Sequence, residues 1–243
     1  MKKIMIAIPF FFLITQTTYA GFDTQQELKK ECAKVKQYAQ LGKKLYDQKQ
    51  YSKALEQFKD QAIWSSFCEY HQDESGIKLS ANDVITANNN VGLAYAKLSK
   101  PLWSRAWYLK DKEAKSSQFN LSQLPTPQLS NNLSGTYVSP IGFGHWNIIT
   151  VTKKQTNYDI SFAGLYFPYY GLISGPNMGE FDTSMALSKK HAEYQYEDCK
   201  ITLDFKFKST EGHFIEVKQS ESQSGCGFGH NVWAQGKYLR VED

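Results

Sequence analysis

One stretch, Leu41 to Phe58 (LGKKLYDQKQYSKALEQF), constrains the chain more than any other. It reads as two helices folded back on each other through a tight turn near Lys49. Small or apolar residues recur at Leu41, Gly42, Leu45, Tyr51, Ala54 and Phe58, a helical spacing on both sides of the turn. Gly42 and Ala54 are small enough to stand where the two backbones approach most closely. Leu41, Leu45, Tyr51 and Phe58 fill the space beside that contact.

The flanking sequence extends the pattern. Thr24 to Glu27 has the form T-x-x-E of a capping box that starts a helix. Leu28, Cys32, Val35, Ala39, Gly42 and Leu45 or Tyr46 then predict one helix of about six turns. A second helix is predicted from about Tyr51 to Phe67, with Ala54, Leu55, Phe58 and Ala62 on its inner face. The polar run from Cys68 to Ser80 reads as a loop. A third helix starts near Ala81, and Pro101 suits the first turn of a fourth. Trp64, Trp103 and Trp107 admit two readings: rings lining a concave groove, or core at helical spacing.

Leu41-Gly42, Leu45, Ala54 and Phe58 resemble a tetratricopeptide repeat, and Val91-Gly92, Tyr95, Ser104 and Tyr108 make a weaker second copy. The copies are 50 residues apart, against a family period of about 34, and the loop from Cys68 takes up the excess. Neither copy ends in the family's proline. The resemblance covers roughly Tyr38 to Lys112. It implies antiparallel helical hairpins that serve as a scaffold for binding another protein. Two repeats bury little surface alone, so further support is expected from a disulfide and from the second half of the chain.

The chain opens with Lys2 and Lys3, an apolar run from Ile4 to Ile14, and Thr18-Tyr19-Ala20. This is the form of a secretory signal peptide over residues 1–20, cleaved after Ala20. The run is short of the roughly 20 apolar residues that span a bilayer, and no span is expected after signal cleavage. The expected location is the periplasm or the exterior. Without the two lysines the formal charge falls from +4 to +2, too mild to argue for nucleic acid.

Four cysteines in an oxidising compartment predict disulfides. Cys32 and Cys68 lie at similar distances on either side of the turn near Lys49, so an antiparallel hairpin sets them face to face. Cys199 and Cys226 both fall in the last third. The predicted pairs are Cys32–Cys68 and Cys199–Cys226. No C-x-x-C spacing suggests redox or zinc chemistry.

From Ser116 to Ser134 the composition turns to Ser, Asn, Gln and Pro, which reads as a linker or an extended strap. Beyond it the period shifts to two. Trp146, Ile148 and Thr150 alternate, as do Tyr158, Ile160 and Phe162, then Phe181, Thr183, Met185 and Leu187. The cleanest strand is Cys199 to Lys208, followed by Phe214 to Lys218 and about Val232 to Val241. About seven short strands predict an antiparallel sandwich or small barrel. Cys199, Ile201 to Phe207, Gly225-Cys226-Gly227 and Gly236-Lys237-Tyr238 resemble small periplasmic β domains of the lysozyme-inhibitor kind. Ser222 to Gly225 echoes that family's inhibitory loop, but Cys226-Gly227 stands where an Arg-Tyr pair is expected, so no inhibitory residue carries over.

Gly-Phe-Gly-His occurs twice, at Gly142–His145 and Gly227–His230. If the first and last strands pair to close a barrel, both loops fall on one rim. Phe143, His145, Phe228 and His230 would then form a binding rim, or the phenylalanines would plug the core behind glycine turns. Two histidines without a third ligand make a poor metal site, and no metal or cofactor is expected. Tyr166, Phe167, Tyr169 and Tyr170 surround Pro168 in a ring-dense loop, either a partner surface or a cap on the core. No catalytic constellation stands out, and the histidines show no convincing acidic partner in sequence.

The expected fold is α+β: a signal peptide (1–20), a helical repeat domain (21–115), a linker (116–133) and an all-β domain (134–243). The expected function is non-catalytic binding of another protein. The alternative is an inhibitor or immunity protein against a cell-wall hydrolase.

Overall fold

The computed structural model describes residues 24–220 and 226–243. The expected signal peptide and the Ser222–Gly225 loop lie outside them.

Helices fill the first half and an antiparallel, nearly closed barrel fills the second. The predicted first helix is two, α1 (Thr24–Ala33) and α2 (Val35–Asp47), interrupted at Lys34. Helix α2 packs antiparallel to α3 (Tyr51–Tyr70). Lys49 turns the chain between them with φ +61°, and the Gln50 N–H donates to the Leu45 carbonyl at 2.9 Å. Gly42 lies beneath the ring of Phe58.

The same relations recur 50 residues later, between α5 (Ala81–Lys97) and α6 (Pro101–Leu109). Ser99 turns the chain with φ +59°, the Lys100 N–H donates to the Tyr95 carbonyl at 3.0 Å, and Gly92 lies beneath Tyr108. Ser104, in the place of Ala54, donates its hydroxyl to the Gly92 carbonyl at 2.8 Å. Helix α5 starts at a capping box in which Ser80 and Asp83 satisfy each other's backbone N–H.

Two expectations change here. The run after Cys68 is not all loop, because α3 continues to Tyr70 and α4 (Gln72–Ser75) follows. The segment expected as linker begins with a helix, α7 (Lys115–Ser122). Its Ser and Asn residues are poor helix formers. They form a helix because the Asn89 amide of α5, itself buried, bonds Ser116, Ser117 and Asn120. The helical core is built of Ala54, Phe58, Ala62, Ala87, Val91 and Trp107. Beside it, the Cys32–Cys68 disulfide ties α1 to α3 among Leu28, Val35 and Phe67.

Eight strands follow: β1 (Gly135–Gly142), β2 (His145–Lys153), β3 (Asn157–Tyr166), β4 (Asn177–Ala186), β5 (His191–Tyr196), β6 (Cys199–Lys208), β7 (Gly212–Gln219) and β8 (Gly236–Glu242). The short helix α8 (Gly171–Ser174) sits between β3 and β4. Spatial order is β4-β3-β2-β1-β8-β7-β6-β5, every neighbouring pair antiparallel. First and last strands pair, with Val138 opposite Leu239. The remaining seam lies between β4 and β5, where the Thr183 hydroxyl donates to the Glu193 carbonyl and Phe181 stacks on Tyr194 at 4.7 Å. Alternate side chains point inward, so Tyr137, Ile149, Ile160, Leu203, Ile215 and Tyr238 are buried in the barrel core.

Each end of the barrel is closed by an irregular segment. Residues 226–235 cross one mouth. The Cys199–Cys226 disulfide anchors them to β6, the Gly229 N–H donates to the Met178 carbonyl, and Asn147 Nδ2 donates to the Trp233 carbonyl. The strap 125–133 closes the other: Leu133 enters the barrel core, its carbonyl accepting from the Tyr137 hydroxyl.

The halves meet along α6. Ala106 packs against Val138 and Val241, while Trp103 and Trp107 stand edge-on to Trp146 at 6.2 and 5.3 Å. Trp64 stands edge-on to Phe67 at 5.7 Å. The three helical tryptophans are therefore packing residues, not groove linings. Lys110 covers this junction with its ammonium over Trp107 and Trp146, and burial brings it down to about 8.

Candidate functional site

The most site-like surface of the helical half is the groove between α2, α3 and α5. Helical spacing sets Ala39, Lys43, Tyr46 and Asp47 on one wall and Thr86, Asn90 and Leu93 on the other, over Phe58 and Gln61. The cavity is about 520 Å3. Its floor carries a polar pair, Asn90 Nδ2 donating to Gln61 Oε1 at 3.1 Å. Lys43 pairs with Asp47 at the rim, 2.6 Å apart. Tyr46 meets Tyr51 edge-on at 5.2 Å, and burial pushes its phenol up. A mixed lining, apolar at Ala39, Tyr46, Phe58 and Leu93 and polar at Lys43, Asp47, Thr86 and the amide pair, suits an extended peptide, whose backbone needs donors and acceptors while its side chains need apolar cover.

The sequence pointed elsewhere, to two loops at the barrel. Both Gly-Phe-Gly-His loops do lie at one end: β1 runs into Phe143-Gly144, and its antiparallel partner β8 starts at Gly236, six residues after His230. Their rings have parted company. Phe143 and Gly144 form a two-residue turn with φ +44° and +70°, a conformation that a bulky residue rarely adopts. The turn points Phe143 outward onto α3, edge-on to Phe67 at 4.9 Å, and a Cβ at Gly144 would meet Ile63 Cγ1 at 2.8 Å. Phe228 turns inward, 5.6 Å from Phe162 at the barrel mouth. His145 lies on Phe167 at 4.5 Å, and burial, then the Lys110 charge, holds it below the usual imidazole range. His230 is exposed, its carbonyl accepting from Asn177. Among the described residues no group of three metal-ligating side chains forms.

The ring-dense loop is half partner and half surface. Tyr170 stacks on His71 at 5.4 Å, and the Tyr169 carbonyl lies 2.8 Å from His71 Nε2. Glu74 takes both His71 Nδ1, at 2.7 Å, and the Tyr169 hydroxyl. That hydroxyl, then His71, holds the Glu74 carboxyl below its ordinary value, and the same bond pushes Tyr169 up to about 12. Tyr70 and Tyr169 remain 62% and 50% exposed, and Tyr166 is also at the surface.

The sequence reading left the histidines without acidic partners, and the structure corrects this. His71 meets Glu74, and His191 lies between Asp204 at 2.8 Å and Glu193 at 3.2 Å. A His-x-x-Glu spacing on a helical turn was the available signal. Sequence reasoning also missed Gln61 and Asn90. Their signal is Asn88-Asn89-Asn90, three poor helix formers in mid-helix. Each has a bonded partner: Asp111, the α7 residues, and Gln61.

No family model, no curated protein and no solved structure matches this chain.

Proposed function

We propose that this protein is an exported, non-catalytic interaction module that holds an extended peptide segment of another protein in the α2–α3–α5 groove. The observation that carries the reading is the groove itself. It offers a trough with apolar patches at Ala39, Tyr46, Phe58 and Leu93 and an amide pair between them, built on two hairpins whose turn, glycine and covering ring repeat 50 residues apart. That repetition supports kinship with tetratricopeptide-like scaffolds. Two disulfides support a location outside the cytoplasm, in the periplasm or beyond. No helix of the described residues is long and apolar enough to cross a membrane.

The test is affinity capture from periplasmic extract on the full chain and on its Leu93→Arg variant, which sets a charge in the groove wall. A protein retained by the first and lost by the second supports the groove, provided a peptide from it binds with the same dependence. Retention that ignores Leu93→Arg rejects it. Capture of a muramidase or amidase that both chains inhibit equally would move the function to the barrel, as an inhibitor.

A further inference from the structure

A second cavity, of about 720 Å3, lies at the opposite end of the barrel, between the start of α6, the strap and the ends of β7 and β8. Its volume is in the range of sites that take small organic ligands, about 300–1,000 Å3. Three cations line it: Lys100, Arg105 and Arg240. Two have carboxylate partners. Lys100 lies 3.6 Å from Glu242, which also accepts from Trp103 Nε1 at 2.9 Å, and Arg240 pairs with Asp243.

Arg105 differs. Only 6% of it is exposed, and among the described residues it has no carboxylate partner. Its guanidinium donates to two carbonyls, Thr210 at 2.9 Å and Pro125 at 2.7 Å, and its Nε–H finds no acceptor. Carbonyl dipoles answer the geometry of the fork but leave a whole positive charge in the wall of a cavity. Such a charge is costly until a counter-charge arrives. Pro101, Leu102 and Pro127 give the wall apolar patches beside the polar Ser99, Thr126, Gln128 and Ser130. The apolar patches would cover a carbon skeleton while the guanidinium N–H groups not bonded to the two carbonyls take an oxyanion.

We propose that this cavity binds a small organic oxyanion, a carboxylate or phosphate, with its anionic group directed to Arg105 and Arg240 and its apolar part against the prolines. Arg240 is the second anchor because its present partner is weakly held. The Asp243 side chain is 81% exposed against 5% for Arg240, so an incoming anion competes with a solvated carboxylate. This site is separate from the peptide groove and does not depend on it.

The experiment is calorimetric titration of the full chain with succinate, with inorganic phosphate and with the neutral analogue succinamide, at fixed ionic strength. Succinate or phosphate binds saturably and succinamide does not; the tighter of the two anions assigns the ligand's head group. Asp243→Asn removes the competing carboxylate from an exposed position and leaves the core intact. It tightens oxyanion binding about two- to fivefold, the weight of one exposed ion pair. Arg105→Lys keeps the charge but loses the fork, and weakens binding roughly tenfold or more. If Arg105→Lys loosens the fold, the Asp243→Asn comparison still decides. The proposal is overturned by no saturable binding of either anion, by equal binding of succinamide, or by an Asp243→Asn affinity that is unchanged or weaker.

Discussion

Gly42 lies so close beneath Phe58 that a Cβ at position 42 would sit 2.5 Å from two carbons of the ring. The ring is buried and backed by Tyr46 at 6.3 Å, so it can retreat only into the groove it floors. Gly42→Ala therefore sets two effects against each other. Alanine in mid-helix gains about 0.5–1 kcal/mol over glycine. Overpacking costs roughly 1–3 kcal/mol. We expect net destabilisation, read as a lower urea midpoint with unchanged slope. Ala54→Trp, at a fully buried position, should cost at least as much. A stabilising Gly42→Ala would mean that this contact does not set the hairpin's closest approach.

His71 bridges the halves, with a ring that is 1% exposed and both nitrogens engaged. His71→Phe keeps the volume and removes both hydrogen bonds. The Tyr169 carbonyl, on a half-exposed residue, loses its donor, at a cost of about 1 kcal/mol, the net worth of a typical hydrogen bond. Hydrogen exchange should accelerate at the amides of Tyr170 to Ser174 while the barrel amides of β6 and β7 stay protected. Unchanged exchange in that loop would show that Tyr170 stacking alone holds it.

His213 sets a pH dependence. Its Nε2 accepts from the Ser130 N–H of the strap at 2.9 Å. Burial, then the charges of Arg240 and Lys190, holds the imidazole below its ordinary value. The unfolded chain, with an imidazole near 6.5, binds the proton more readily than the folded one. Stability is thus lost as pH falls below about 6.5 and is fully present above it. His145, also depressed by burial and then by Lys110, acts in the same sense. His191, raised by Asp204 and then Glu193, acts oppositely, but it is largely solvated and counts for little. The melting temperature should fall between pH 7 and pH 5. His213→Gln can still accept from Ser130 and should flatten that slope; an equally steep slope would assign the effect to other groups.

Phe143 and Phe228 stand in identical tetrapeptides, and their removal should be felt in different places. Phe143→Ala empties the contact with Phe67 and should separate the unfolding of helices and barrel. Phe228→Ala empties the barrel mouth above Phe162 and should expose the β3 and β4 amides. Each costs up to about 3 kcal/mol, the low end for a buried ring, since both are only partly covered. Scanning calorimetry separates the two: a split transition for Phe143→Ala, and a single lowered one for Phe228→Ala.

The legible elements are those whose burial is periodic. Strand β6 was readable from end to end because Ile201, Leu203 and Phe205 alternate with polar residues. The α2–α3 hairpin was readable because Gly42, Ala54 and Phe58 carry the contact themselves. Strand β5 went unseen because only Ala192 of HAEYQY is buried, which leaves no alternation to find. Helix α7 went unseen because its stability comes from Asn89, 27 residues before its first serine partner, and not from its own propensities.

By itself the sequence determined the α+β division, the order of the main helices and strands, and the cysteine partners, since each follows from local period or from distance to a turn. Only the tertiary structure decided what the polar and ring-bearing residues do. The two Gly-Phe-Gly-His copies are chemically identical, yet one docks on a helix and the other plugs a barrel. Arg105 is an ordinary helix-surface residue in sequence, and it becomes a buried charge because Thr210 and Pro125 are brought to it. The physical reason is the same in each case. Periodic burial is encoded by neighbours a few residues away, whereas a polar group's partner, or its lack of one, is set by chain segments that folding alone brings together.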